Sequence, residues 1–182
     1  MPLTALADVR VPLFGPHGAR QFMAQKGVRT ADLPALEALL RRLYPADVAR
    51  SPGAGAAGGL GAALISLGAR VVSGIDVVLD AHDVEERAAR ADLVLTGEGR
   101  LDGQTLEGKA VAALARVCRK TRTPLVALCG SVELPRQLLA RAGVIALPIV
   151  PGPCAVDDAL ARARTNLERA AHTALALLEA GH

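Results

Sequence analysis

Acidic and basic side chains are concentrated in the middle of the chain, directly after a short apolar run. Residues Leu93 to Leu95 have the length and the β-branched content of a short buried strand. Glu98, Arg100 and Asp102 follow within a few residues, and Lys109 comes shortly after them. Charges held near a core are costly unless they pair with each other or with a ligand. The placement therefore predicts a site that binds charged molecules.

Phosphoryl transfer is the chemistry that suits these four side chains, because in that reaction the protein mainly positions groups and neutralises charge. Glu98 and Asp102 are candidates for holding Mg²⁺, and a carboxylate at this place could instead take the proton of an attacking hydroxyl. Arg100 and Lys109 are candidates for neutralising phosphate oxygens. The competing interpretation is a surface turn with a local ion pair and no ligand.

A glycine-rich stretch between Ser51 and Leu64 is the second candidate for contact with an anion. Its glycines lead into a short apolar helix, and the first N–H groups of a helix have no partner within the helix. We predict that Gly53, Gly55, Gly58 and Gly59 contact a phosphate or a carboxylate through their backbone amides. The alternative is that these glycines only allow close packing of the helix, with no ligand.

Isolated polar residues add weaker candidates. Lys26 lies between Gln25 and Gly27, where it offers a cation on a loop, and Ser131 follows a predicted strand, where its hydroxyl could bind a ligand. His17 is interpreted as a solvated loop residue.

Two matches to nucleotide-binding patterns lack the context that would confirm them. Gly103 to Lys109 has the spacing of a P-loop, but Ala110 stands where a metal-binding hydroxyl is needed. Gly53 to Gly58 matches the dinucleotide fingerprint, but the preceding segment from Ala46 to Pro52 does not resemble a buried strand. A nicotinamide-dependent dehydrogenase is therefore only the third hypothesis for the chain.

Strands and helices alternate after residue 92, and this alternation predicts an α/β fold with a parallel sheet. The predicted strands cover 93–96, 125–129 and 144–149, and the predicted helices cover about 105–119, 134–142 and 156–179. The carboxyl ends of parallel strands meet at one edge of a sheet, where ligands bind in this fold class. Upstream, the sequence predicts a short strand near Asp8 to Val11 and a helix that starts at residues 32–34 and ends before Pro45.

Composition excludes several classes of protein. The 182 residues suffice for one well-buried domain, or for a domain with an appended lobe. No signal peptide or membrane span is evident, so a membrane is not expected as a partner. The net charge of +3 comes from scattered arginines, and the sequence has one Tyr, two Phe and no Trp, so a nucleic acid is not expected either.

Cys118, Cys129 and Cys154 are far apart, which predicts reduced thiols in a cytoplasmic protein. We expect Cys118 and Cys129 in the core and leave Cys154 open.

The segment from Thr96 to Thr105, followed by Gly108-Lys109, closely resembles the signature block of the bacterial glycerate kinases of the first class. Further matching segments are Asp8-Val9, Gln25 to Gly27, Gly53 to Gly61, and Pro153-Cys154 with the last helix. The resemblance implies that Mg-ATP phosphorylates D-glycerate to 2-phosphoglycerate. A non-catalytic fragment that binds an anion or a partner polypeptide is the alternative.

Members of that family are considerably longer, and this chain resembles their carboxy-terminal half. The resemblance implies a Rossmann-like domain with a second α/β lobe inserted into it. Residues 1–90 would be the end of the inserted lobe, with the glycine-rich loop, and residues 91–182 would be the returning half of the Rossmann-like parallel sheet. We therefore expect an exposed sheet edge, and either self-association or pairing with a missing amino-terminal half.

Overall fold

The computed structural model describes residues 2–106 and 110–180, which form two compact units, Met1–Val78 and Leu79–His182. The sequence-based boundary lies later, at residue 90. Residues 79–90 belong with the second unit because helix α6 (Val84–Ala89) packs against helix α7 (Ala110–Thr121), and because the Thr123 hydroxyl donates to the Ala88 carbonyl at 2.8 Å. The assignment of the units to an inserted lobe and a Rossmann-like half stays a prediction.

The first unit contains a small parallel sheet and several short helices. Strand β1 (Thr4–Ala7) pairs with strand β2 (Arg70–Ser73), with Thr4 opposite Arg70. The helices are α1 (Arg20–Met23), α2 (Leu33–Leu43), α3 (Ala46–Arg50), α4 (Leu60–Ser66) and α5 (Gly74–Ala81), which runs across the boundary between the units. The buried core consists of Leu13, Ala19, Met23, Leu33, Leu40, Ala49, Ala54 and Ala62.

Several sequence predictions for this unit can be compared with the structure. Helix α2 has the predicted bounds. The strand expected near residues 8–11 is wrong, because β1 ends at Ala7. Residues 46–50 form helix α3, so no strand precedes the glycine-rich loop, as the sequence indicated.

The second unit contains a parallel sheet in the order β3-β4-β5, formed by Val94–Leu101, Leu125–Val132 and Ile145–Pro148. This confirms the predicted α/β class with parallel strands. Helix α7 packs on β3 and β4, while α10 (Ala163–Glu179) packs on β4. The remaining helices are α8 (Arg136–Ala142) and α9 (Val156–Ala161).

Strand β4 carries side chains into apolar clusters on both of its faces. Leu125, Ala127 and Cys129 belong to one cluster together with Val111 and Leu101. The alternate residues Val126 and Leu128 pack against Ala170 and Ala174. A strand that is buried on both faces is typical of parallel sheets and explains why residues 125–129 form a continuous apolar run.

Strands β3 and β4 extend further than the sequence predicted. The predicted end of the first strand at residue 96 is wrong, because β3 continues to Leu101. The pairing favours a glycine on β4, because a Cβ at Gly130 would lie 2.6 Å from the Gly99 carbonyl oxygen. The expected position of Glu98 and Arg100 after the strand is therefore wrong, since both residues lie within it.

The single long helix predicted for residues 156–179 is interrupted. Arg162 has φ −101° and ψ 10°, which separates α9 from α10 without a proline or a glycine. No helix within residues 2–106 and 110–180 has the length and apolar character needed to cross a membrane.

Candidate functional site

The predicted site residues Glu98, Arg100, Asp102 and Ser131 lie in or directly after the carboxyl-terminal halves of two adjacent strands, β3 and β4. Glu98 is in register with Cys129, Arg100 is in register with Ser131, and Asp102 follows the last residue of β3. The structure thus brings Arg100 and Ser131, which are far apart in sequence, to neighbouring positions. Ligands bind at this edge of parallel α/β sheets, so these residues stay the candidate site.

Arg100 forms an ion pair with a residue that the sequence analysis did not single out. Its Nε atom lies 3.4 Å from Glu133 Oε1, and the two side chains are 64% and 54% exposed. A pair this exposed contributes at most about 1 kcal/mol. Because a guanidinium has five N–H donors, Arg100 keeps donors that can reach an anion. The only sequence signal for Glu133 was its place directly after β4.

Asp102 begins a hydrogen-bonded turn that it shares with Thr105. The Asp102 N–H donates to Thr105 Oγ1 at 3.1 Å, and the Thr105 N–H donates to the Asp102 carbonyl at 3.1 Å. The Thr105 hydroxyl lies 3.3 Å from the Arg100 carbonyl oxygen and 3.4 Å from Asp102 Oδ1, so it can donate to either. Thr105 is 1% exposed. This buried turn holds the half-buried Asp102 at the end of β3.

Replacing Thr105 by Val is expected to lower the free energy of unfolding by about 1–2 kcal/mol. The change keeps the shape of the side chain but removes the hydroxyl that accepts from the Asp102 N–H, and the apolar methyl group that replaces it is buried at the Thr105 position. Equilibrium urea unfolding measures the loss. Thr173→Val is the matched control, because the exposed Thr173 hydroxyl donates only to a carbonyl of its own helix. Equal losses in the two variants would contradict a structural role for the turn.

The predicted metal ligands are not tested by the geometry. Within the described residues no three His, Cys, Asp or Glu side chains come together as a metal-binding group. Mg²⁺ is commonly held by one or two carboxylates, with waters and substrate phosphates completing its shell. Glu98 and Asp102 therefore stay predicted ligands. Lys109 lies outside the described residues, and its role also stays a prediction.

In the glycine-rich loop of the first unit, several backbone N–H groups donate to carbonyls of the loop itself, and the Gly55 N–H donates to Val11 outside the loop. Among these bonds, Ala54 donates to Ser51, Gly55 to Val11, Ala56 to Gly53, Gly58 to Gly55 and Gly59 to Ala56, at 3.0 to 3.2 Å. Gly53, Gly58 and Gly59 have φ of 89°, 73° and 110°, which favour glycine. A Cβ at Gly55 would lie 2.2 Å from the Pro12 carbonyl oxygen. The fold of the loop explains these glycines without a ligand, so their contact with an anion stays a prediction.

Lys26 lies beside this loop in an open pocket of about 360 Å³. The pocket is lined by Asp8, Val9, Phe22, Gln25, Lys26 and Ala57. A Cβ at Gly58 would lie 3.5 Å from Lys26 Cδ, so the stem of Lys26 runs past the loop. Within residues 2–106 and 110–180, no carboxylate lies within 4.0 Å of the Lys26 ammonium. An ammonium in such a pocket can bind an anionic group.

Asp8 is a residue of this pocket that sequence reasoning did not propose as functional. It directly follows β1, so it occupies the carboxyl end of a parallel strand. A strand over residues 8–11 would put Asp8 at its start, so only the observed end of β1 at Ala7 reveals this position.

The three cysteines differ in their burial. Cys118 and Cys129 are buried, as predicted, and burial raises the pKa of both thiols. Cys154 is exposed. Since the thiolate is the nucleophile, alkylating reagents should react mainly with Cys154 in the folded protein.

Comparison with known proteins adds the family. Residues 1–179 match the model of the Glycerate kinase family. The chain is 40% identical over 182 residues to the glycerate kinase of Bacillus subtilis, with 93% of this chain and 47% of that protein covered. It is 36% identical over 184 residues to the glycerate 2-kinase of Escherichia coli, with 96% and 48% covered.

A solved structure has the same fold. This crystal structure, assigned to glycerate kinase 2 of Salmonella typhimurium, is 35% identical and superposes with a TM-score of 0.65, covering 99% of this chain and 49% of that one. The chain spans about half the length of the curated relatives it matches. The family match over residues 1–179 and these identities show that the chain belongs to the glycerate kinase family.

Proposed function

We propose that this protein takes part in the ATP-dependent phosphorylation of D-glycerate to 2-phosphoglycerate. The observation that carries the proposal is the family match over residues 1–179, together with relatives named glycerate kinase and glycerate 2-kinase. The proposal includes a cytoplasmic location, which the free thiols Cys118, Cys129 and Cys154 support.

In this proposal the second unit handles the transferred phosphoryl group. The hydroxyl oxygen of glycerate attacks the γ-phosphorus of ATP, the bond to the bridging oxygen of ADP breaks, and Asp102 or Glu98 takes the hydroxyl proton. Arg100 donates to phosphate oxygens, and Ser131 hydrogen-bonds the substrate. Glu98 and Asp102 are carboxylates of the type that Mg²⁺ prefers and would hold this ion, which supplies positive charge beside the phosphate oxygens.

Lys26 is proposed to bind an anionic group of the substrate or of ATP. Lys26→Gln removes the charge and is expected to raise the KM of one substrate about 10–100-fold, the range for losing a hydrogen bond to a charged group. Initial rates over a range of D-glycerate and of ATP concentrations identify which substrate is affected.

The matched control for this variant is Lys120→Gln. Lys120 Nζ lies 2.6 Å from Glu85 Oε1 on the surface of the second unit, and its side chain is 69% exposed. This variant is expected to keep both KM values. Unchanged KM values in Lys26→Gln would remove Lys26 from the binding site.

The second candidate is a non-catalytic fragment that binds an anion or a partner polypeptide. It is favoured by the half-length match and by the ends of the described sheet, where β3 and β5 each have one neighbouring strand. Leu95 of β3 is 39% exposed and Ile145 of β5 is 58% exposed. On this basis we propose that residues 79–182 are half of a Rossmann-like domain that a second copy or an amino-terminal half completes.

A coupled kinase assay separates the two candidates. The purified 182-residue protein is tested with D-glycerate and Mg-ATP, and its molar mass in solution is measured under the same conditions. Turnover supports the kinase, and turnover by a dimer supports a site completed by a second copy. A folded chain that binds Mg-ATP without turnover supports the fragment. A folded chain that binds neither ATP nor glycerate would contradict the kinase and the anion-binding form of the fragment.

A further inference from the structure

An open pocket of about 580 Å³ lies beside the loop that follows β5. It is formed by the loop residues Pro151 to Cys154 together with residues of α9 and of the first turns of α10. Its volume falls in the range of sites for small molecules, which is about 300–1,000 Å³. None of its residues takes part in the function proposed above.

Asn166 is the residue that points to a ligand in this pocket. It lines the pocket and is only 7% exposed. Its side-chain amide has no hydrogen-bond partner among residues 2–106 and 110–180, although its backbone N–H donates to the Arg162 carbonyl. Among the described residues, every fully buried side-chain nitrogen or oxygen has a hydrogen-bond partner. Because the Asn166 amide has none, it must be partly accessible to solvent, and the pocket that it lines provides this access. A nearly buried amide needs a ligand or a water to bond with.

The charges of the pocket favour an anion. Arg162 and Arg169 both line it, and Arg169 Nη2 donates to the Ile149 carbonyl at 2.9 Å, which fixes that guanidinium over the loop. No carboxylate lies within 4.0 Å of either guanidinium in the described part of the chain. Arginine is well suited to carboxylate and phosphate groups because its N–H donors form a planar fork.

Asp158 also lines the pocket, and it narrows the class of ligand. Its carboxylate repels a bare anion but accepts a hydrogen bond from a hydroxyl. We propose that this pocket binds a small hydroxylated organic anion, with its carboxylate or phosphate on Arg162 and Arg169 and its hydroxyl toward Asp158 and Asn166. The inference is independent of the proposed kinase activity.

Cys154 makes the proposal testable at the pocket itself. It is an exposed lining residue, whereas burial raises the pKa of Cys118 and Cys129, so neutral iodoacetamide should alkylate mainly Cys154. Peptide mass spectrometry follows this alkylation at constant pH and ionic strength. Two matched pairs of probes are used, acetate with glycolate and inorganic phosphate with glycerol phosphate. A probe can bind in the pocket and still leave the Cys154 thiol accessible. Isothermal titration calorimetry with the same probes detects such binding.

We expect the hydroxylated member of at least one pair to protect Cys154 saturably and to bind more tightly than its plain partner. The pair with the stronger effect decides between a carboxylate and a phosphate ester. Arg162→Gln is expected to raise the half-protecting concentration about 10–100-fold. Arg164→Gln is the control and should change nothing, because Arg164 is 92% exposed, pairs with Glu168 and does not line the pocket.

Two results would overturn the proposal. If none of the four probes gives protection or heat with the folded protein, Asn166 is satisfied by water alone. If all four protect equally and without saturation, and Arg162→Gln behaves as Arg164→Gln does, the effect is a general response of the thiol to salt and no site exists.

Discussion

Replacing Asp102 by Asn is expected to lower kcat for D-glycerate phosphorylation by a factor on the order of 100 to 10,000, the range for removing a general base. The carboxylate can accept the hydroxyl proton, whereas the amide cannot. The turn should survive, because the bonds from the Asp102 N–H to the Thr105 hydroxyl and from the Thr105 N–H to the Asp102 carbonyl do not need the carboxylate. Asn is also common in such turns. The coupled assay measures kcat, and urea unfolding checks that the variant is folded.

The matched control is Asp92→Asn. Asp92 is exposed and lies just before β3, at the opposite end of the strand from Asp102. Normal kcat is expected for this control. Near-normal kcat in a folded Asp102→Asn variant would remove Asp102 from the site.

The affinity for Mg-ATP distinguishes the two roles proposed for Asp102. If Asp102 acts only as the base, Asp102→Asn should leave this affinity unchanged. If Asp102 holds Mg²⁺, the affinity for Mg-ATP should fall as well. Calorimetric titration of the folded variant gives this result even where turnover is too slow to measure.

Replacing Gly61 by Ala is expected to give the largest loss of stability, about 3 kcal/mol or more. The new Cβ would lie 1.9 Å from the Gly53 carbonyl oxygen and 3.2 Å from the Ala54 carbonyl oxygen. Both obstacles are backbone atoms, so no side chain can rotate away. Gly53 itself has φ of 89°, which restricts how the loop can adjust. Equilibrium urea unfolding of the first unit measures the loss.

Gly74→Ala is the control in the same unit. Its Cβ would lie 3.7 Å from Leu6 Cβ, which is an ordinary contact, and Gly74 is the first residue of α5. The midpoint urea concentration for unfolding of this variant should be close to that of the parent protein. An unchanged midpoint in Gly61→Ala would show that α4 does not approach the loop this closely.

Local patterns in the sequence were sufficient for much of the fold. The leucines of α2 have helical spacing, and the apolar runs of β4 and β5 stand between helical segments, so these elements and the parallel sheet could be predicted. The length of β3 could not be predicted in this way. Gly97 and Gly99 resemble a strand end, and only pairing with the distant residues of β4 keeps them in the sheet. The interruption at Arg162 could not be predicted either, because the sequence has no proline or glycine there.

The candidate site was predictable only in part, for a related reason. Glu98, Arg100 and Asp102 stood out because charges rarely follow a buried strand. Thr105 and Glu133 are ordinary polar residues until the fold buries or pairs them. Their roles depend on contacts between distant segments, which one sequence does not display.

The burial of β4 on both faces ends where its polar residues begin. Residues 125–129 are buried, and residues 130–132, which include Ser131, are only half-buried. Along this strand, the residues that fill the core are thus separated from the residues that we propose to meet a ligand. Substitutions at residues 130–132 are therefore expected to change ligand binding with less loss of stability than substitutions at residues 125–129.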